Sequence, residues 1–256
     1  MEPVKRLLQE RIAARIEPSK AILIFGARRV GKTVLIRQLI NDFKGKTMLL
    51  NGEDYDTLAL LEERSIANYR HILEGVSLLA IDEAQNVPDI GSKLKLIVDE
   101  IEGIHVIASG SSSFDLLNKA GEPLVGRSTQ FFLTPFSQRE IAPLETALET
   151  RQNLESRLIY GSYPEVVTLN SFDRKTDYLR DIVGAYLLKD ILAIDGLKNA
   201  GKMKDLLRLV AFQLGNEVSH DELGKQLKII ARDGREVAWD KMSNHVQRML
   251  GVMGWL

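Results

Sequence analysis

The stretch GARRVGKT, Gly26 to Thr33, lies between the apolar run AILIF at 21–25 and the periodic stretch VLIRQLI at 34–40. Its pattern, G-x-x-x-x-G-K-[ST], has a mechanical logic. Backbone N–H groups of a tight loop converge on phosphate oxygens, and the helix that follows presents the positive end of its dipole. Gly26 and Gly31 permit the wrap, while Ala27, Arg28, Arg29, Val30 and Val34 of the following helix complete the cradle. The side chains of Arg28 and Arg29 occupy variable positions of the motif and read as exposed or structural. Lys32 is placed to reach the β- and γ-phosphates, and the Thr33 hydroxyl to ligate Mg²⁺. Strand before and helix after are the context that such a loop requires.

Working outward, TMLLN (47–51), VSLLAI (76–81), HVIAS (105–109) and STQFFL (128–133) repeat the short, unbroken apolar pattern of AILIF. Runs of this kind are strands buried on both faces of a parallel sheet. Helical spacing falls between them, over Lys32–Phe43, about 56–73 and about 90–102. The alternation predicts an α/β fold with a five-stranded parallel sheet and right-handed crossovers. Before it, Val4, Leu7, Leu8, Ile12 and Ile16 predict an amphipathic helix that ends near Pro18. From Pro135 onward the apolar spacing is helical, with Tyr178, Leu179, Ile182, Val183, Tyr186 and Leu187 on one long helix. The polar stretch near 145–152 suggests the main boundary.

A phosphate cradle that handles Mg²⁺ needs carboxylates at the end of a neighbouring strand, and LLAIDEAQ at 78–85 supplies them. Asp82 is read as the residue that holds Mg²⁺ through its water shell, and Glu83 as the base that orients and deprotonates a nucleophilic water. Acids also favour helix starts, so capping by Asp82 is the bland alternative. The strand at 105–109 runs into ASGSSS; Ser109 and Ser111 are candidates to touch a γ-phosphate or the attacking water, or else cap the next helix. Arg127, in LVGRS, is a candidate to reach a nucleotide in its own chain or a neighbour's, against the alternative of a solvated arginine. The candidate catalytic residues are thus Lys32, Glu83 and Arg127.

The 256 residues carry a net charge of −1, so no global field attracts nucleic acid or a membrane surface. The absence of cysteine, of a long apolar span and of an apolar leader core in MEPVKRLLQERIAARI suggests a cytoplasmic address. The four histidines are too scattered to form a metal site by spacing. Mg²⁺ with ATP is the cofactor expectation.

Taken in order, AILIFGARRVGKT, LLAIDEAQNVPD, ASGSSS, LVGRS, FFLTPFSQRE, GSYPEVV and YLLKDI resemble the prokaryotic AAA-type ATPases, in which a nuclease-like domain of unknown function normally follows. The resemblance runs to about residue 229. It implies an additional-strand P-loop fold with Walker A, Walker B and sensor elements, a helical lid and then a winged helix. It implies a sensor or finger role for Arg127. It also implies that GSYP (161–164) sets Tyr163 and Pro164 against adenine, although Ser162 stands where the family has a second glycine; a helix-initiating Tyr-Pro is the alternative. The corresponding division is an ATPase core at 1–150, a lid at 151–200 and a partial winged helix at 201–256.

The tail departs from the family pattern. LLRLVAFQLGNEVSHDELGKQLKI (206–229) fits the opening of a winged helix, with Ser219 and Glu222 as a capping box. The remaining 27 residues read instead as a truncated or frame-disrupted end. Residues 201–256 hold nine Lys/Arg against seven Asp/Glu, a net of +2 that supports DNA binding only weakly. A protein partner or self-association through apolar faces is the other expectation. Two functions fit: hydrolysis of ATP that moves the lid, or a nucleotide-dependent binding switch with negligible turnover. Glu83 favours the first.

Overall fold

The computed structural model describes residues 4–110, 124–187 and 200–213. Five strands, β1 (Ala21–Phe25), β2 (Thr47–Asn51), β3 (Leu78–Asp82), β4 (His105–Gly110) and β5 (Ser128–Phe132), form one sheet. The order is β2-β3-β4-β1-β5 and every pairing is parallel. β4 is thus inserted between β3 and β1, the extra-strand arrangement that the resemblance implied.

The two sides of the sheet follow from the period-2 alternation of a strand. In β1, Leu23 and Phe25 face a core made with α4 (Ile66–Ile72) and α5 (Ile90–Glu100), through Tyr69, Leu94, Ile97 and Val98. Ile22 and Ile24 face the opposite core, made with α1 (Leu7–Ala13) and α2 (Lys32–Asp42), through Ile12, Leu35, Ile36 and Leu39. Each such aliphatic side chain stabilises by about 1.5–3 kcal/mol when fully buried. The central strands are therefore a rigid base for the groups at their described carboxyl ends.

β1 and β3 are buried along their whole length, as continuous apolar runs predict, whereas β2 and β5 are only partly buried. These two are the sheet edges, where one side has no neighbouring strand to cover it. The helix expected over 56–73 is two helices, α3 (Tyr55–Leu60) and α4. Ser65 divides them, because its hydroxyl accepts the Asn68 N–H at 3.1 Å and starts α4 as an N-cap.

After β5, Ser137 and Glu140 form a capping box on the short helix Gln138–Ile141. Helices Ala147–Gln152, Leu154–Tyr160 and Pro164–Thr168 follow. Compactness divides the chain at Thr168, later than the polar stretch near 145–152 suggested. The GSYP turn accounts for the difference. The Phe136 N–H donates to the Ser162 carbonyl at 2.9 Å, and Tyr163 packs into the α2 core. The second unit contains the helix Phe172–Asp181, a π-helical turn at Ile182–Leu187 and the helix Ala200–Phe212. The winged-helix expectation for 214–256, including Ser219 and Glu222, lies outside the described residues.

Candidate functional site

At the carboxyl end of β1 the chain leaves the sheet through Gly26. A β-carbon there would stand 2.4 Å from the Leu133 carbonyl oxygen, so only glycine fits the close approach of the segment leaving β5. The loop then passes through Arg29 in a left-handed conformation (φ 64°) and through Gly31 (φ 98°), the N-cap of α2. The first turn of α2 has no acidic residue and its N-cap provides no side-chain hydrogen bond. With no local acid or capping side chain competing for its leading amides, such a helix start favours an anion. Ala27 is half-buried and Val30 fully buried, while the Val34 side chain is exposed, so Val34 can contribute only its backbone. Lys32 is buried, and its Nζ donates to the Gly26 and Ala27 carbonyls at 3.0 and 3.1 Å.

β3 and β4 bring the other predicted groups to the same edge of the sheet. Register sets Ile24 opposite Ser109 and Ile81 opposite Ala108, so the ends of β1, β3 and β4 are level. Thr33 Oγ1 donates to Asp82 Oδ2 at 2.5 Å. Ser109, fully buried, donates its hydroxyl to Asp82 Oδ1, and the Glu83 backbone N–H donates to that same oxygen at 3.1 Å. A hydroxyl and a carboxylate oxygen side by side are hard ligands of the kind Mg²⁺ takes, so Thr33 and Asp82 fit that ion.

Glu83 itself is held in the left-handed region, φ 49° and ψ 41°. For a residue with a β-carbon this conformation costs on the order of 1 kcal/mol and recurs at functional sites. Gln85 Nε2 donates to Glu83 Oε2 at 2.6 Å and fixes the carboxylate.

Ser111 lies outside the described residues. The reading of Arg127 on a nucleotide of its own chain requires a correction. Arg127 precedes β5 and so lies at the amino edge of a parallel sheet, about 16 Å of strand from the loop at 3.3 Å per residue. There its carbonyl accepts the Ala21 N–H at 2.8 Å, and its Nε donates to Asp99 at 2.6 Å. It cannot act on a nucleotide held by its own chain. Tyr163 is brought to the loop side, packed in the same core as Ala27 and Val30, and burial pushes its phenol up. Pro164 opens the helix behind it. Gly161 carries the positive φ of the GSYP turn (73°), whereas Ser162 does not, so a side chain at 162 brings no left-handed backbone strain.

Four residues of this neighbourhood escape a reading of the sequence: Gly52, Gln85, Arg6 and Glu140. Gly52, directly after β2, donates its N–H to the Asp82 carbonyl at 2.8 Å, and a β-carbon on it would come within 2.4 Å of the Glu83 carbonyl oxygen. Its place at the end of an apolar run was the available signal. Gly52→Ala is expected to destabilise the fold by roughly 1–3 kcal/mol through overpacking. It is also expected to displace Glu83. A lowered urea midpoint checks the first expectation.

Arg6 Nε donates to Glu140 Oε1 at 2.9 Å, and both side chains are about nineteen-twentieths buried, with 5% and 6% exposure. Burial would raise the Glu140 carboxyl, but the N–H groups of Ser137 and Leu7 and the Arg6 guanidinium outweigh it and hold the carboxyl below the usual range. A carboxylate depressed in the fold stabilises fully above the carboxyl range of the unfolded chain. That contribution is lost as pH falls through the lower folded value. The urea midpoint is therefore expected to fall on acidification through and below the carboxylate range. Glu140→Gln is expected to lower it at neutral pH and to flatten its pH dependence.

The loop, the strand order and the level carboxylate cluster define a P-loop α/β nucleotide-binding fold with an added central strand. Residues 18–142 match the family model of an AAA domain, and residues 151–238 match that of a domain of unknown function. Over residues 18–142 the chain is thus similar to the AAA-type ATPases, in keeping with the resemblance of its motifs. An uncharacterized protein of Methanocaldococcus jannaschii is 24% identical over 87% of this chain and 53% of its own length. An uncharacterized protein of Mycobacterium tuberculosis is 24% identical over 88% of this chain and 48% of its own. The chain thus spans about half the length of the curated relatives it matches. Among solved structures, a Walker-type ATPase of Pyrococcus abyssi superposes with a TM-score of 0.62 at 15% identity, covering 99% of this chain and 90% of its own. That likeness is one of fold. No helix among the described residues is long and apolar enough to cross a membrane.

Proposed function

We propose that the chain binds ATP with Mg²⁺ and hydrolyses it, and that the nucleotide state is passed to the helical region beyond β5. The observation that carries this reading is the cluster of Thr33, Asp82, Ser109 and Glu83 at the level carboxyl ends of β1, β3 and β4. Gly26 to Val34 wrap the triphosphate with backbone amides, and Lys32 turns its ammonium from the loop carbonyls to the phosphates. Thr33 and Asp82 would hold Mg²⁺, which when bound would supply positive charge to offset that of the phosphates.

Glu83 takes the proton of a water whose oxygen bonds to the γ-phosphorus, while the bond from that phosphorus to the bridging oxygen breaks and ADP leaves with its electron pair. Ser109 keeps Asp82 oriented through its hydroxyl. Tyr163 and Pro164 lie toward the adenine side. The path to the helices runs through Thr134–Glu140 and the Phe136 to Ser162 hydrogen bond. A lid of helices can respond only if ADP and ATP make different contacts with these groups.

Steady-state phosphate release with Mg²⁺ and with excess chelator tests the activity. Metal-dependent release supports hydrolysis. ATP uptake without release in either condition would leave the binding switch as the function and remove the enzyme reading.

A further inference from the structure

Arg6 lies just before α1, and its side chain bonds to residues 24 to 134 positions away. Its three guanidinium nitrogens go to three acceptors on two separate segments. Nε donates to Glu140, Nη1 to the Val30 carbonyl at 2.8 Å and Nη2 to the Thr134 carbonyl at 2.5 Å. The planar face covers the Phe136 ring, 4.7 Å from its centre. Glu140 is saturated in turn: Oε1 also accepts the Leu7 N–H at 2.9 Å, and Oε2 accepts the Ser137 N–H and hydroxyl at 2.8 and 3.0 Å. One side chain therefore joins the N-terminal segment, the phosphate loop and the segment leaving β5.

The bond to Val30 matters for the loop itself. In a trans peptide the carbonyl of one residue and the N–H of the next point in opposite directions. Fixing the Val30 carbonyl on Arg6 turns the Gly31 N–H away from the guanidinium, at the point where α2 begins. Gly31 sits directly over this arginine, since a β-carbon on it would be 3.7 Å from Nη1. A lysine keeps the charge but lacks the planar fork that meets three acceptors at once.

We propose that Arg6 is a positioning residue of the nucleotide loop, holding the Val30–Gly31 peptide in the orientation that triphosphate binding needs and linking it through Glu140 to the segment after β5. This rests on the reading of the loop as an ATP site. The proposal concerns orientation rather than stability, so two readouts on the full chain are needed.

The first is amide hydrogen exchange on nucleotide-free Arg6→Lys, where exchange at 29–34 is expected to rise about tenfold while β3 and β4 keep their protection. The second is titration with a fluorescent N-methylanthraniloyl ADP, whose Kd is expected to rise by about tenfold, the scale of one charge-assisted hydrogen bond. Lys5→Ala, which removes only an exposed ion pair with Glu10, is expected to change neither. Should Arg6→Lys fail to melt cooperatively, Glu140→Gln keeps the side-chain shape, and a smaller change of the same two kinds is expected. Unchanged exchange at 29–34, exchange that rises equally in β3 and β4, or an unchanged Kd would each overturn the proposal. If wild-type chain binds no ADP, the nucleotide reading falls by itself, and the exchange result still decides whether Arg6 holds the loop.

Discussion

Glu83→Gln is expected to bind ATP as wild type does and to release phosphate more slowly by a factor on the order of 10²–10⁴, the usual contribution of a positioned general base. Binding survives because the group that Glu83 lends to the Asp82 cluster is its backbone N–H, which the substitution leaves in place. The amide is nearly the same size as the carboxylate but takes no proton from water. Single-turnover phosphate release beside ATP binding on the same preparation checks both halves. A variant within about twofold of wild type in turnover would remove Glu83 from the base role.

Lys32→Ala is expected to weaken ATP binding by roughly 10²-fold or more, since hydrogen bonds to charged groups contribute about 1.5–3 kcal/mol each and an ammonium reaches several oxygens. The side chain is buried, so the alanine variant also leaves the Gly26 and Ala27 carbonyls without this donor. Lys32 belongs to neither apolar core, so its truncation removes no core packing and a cooperative melt is still expected. Loss of affinity with the melt preserved distinguishes a binding role from a structural one.

How much of this was legible in the sequence depended on how local the cause was. β1, β3 and β4 are buried on both faces, and that condition writes itself into the sequence as an unbroken apolar run. The loop at Gly26–Thr33 and the pair Asp82 and Glu83 were equally plain, because each follows such a run directly. β2 and β5 carried the same signal although they are edges, and their partial exposure came from sheet order, which no single run encodes. The break at Ser65 was a one-residue cap overlooked within a periodic stretch. Arg127 shows an inference left unfinished: in a parallel sheet a residue before a strand lies at the edge away from the phosphate loop. Arg6 and Glu140 were beyond reach for another reason. They are 134 residues apart, and their bond exists only once the segment leaving β5 has packed beside α1.

Gly52 and Gln85 fall between these cases. Both adjoin recognised motifs, but what they do depends on the left-handed backbone of Glu83, a feature that appears only in three dimensions.

Triphosphate binding by the loop between Gly26 and Thr33 is tested most directly by equilibrium dialysis of the folded chain against ATP with Mg²⁺. Uptake of about one nucleotide per chain, saturating between about 1 μM and 1 mM as is usual for such sites, is the predicted result. No uptake at millimolar ATP by a chain that melts cooperatively would contradict it.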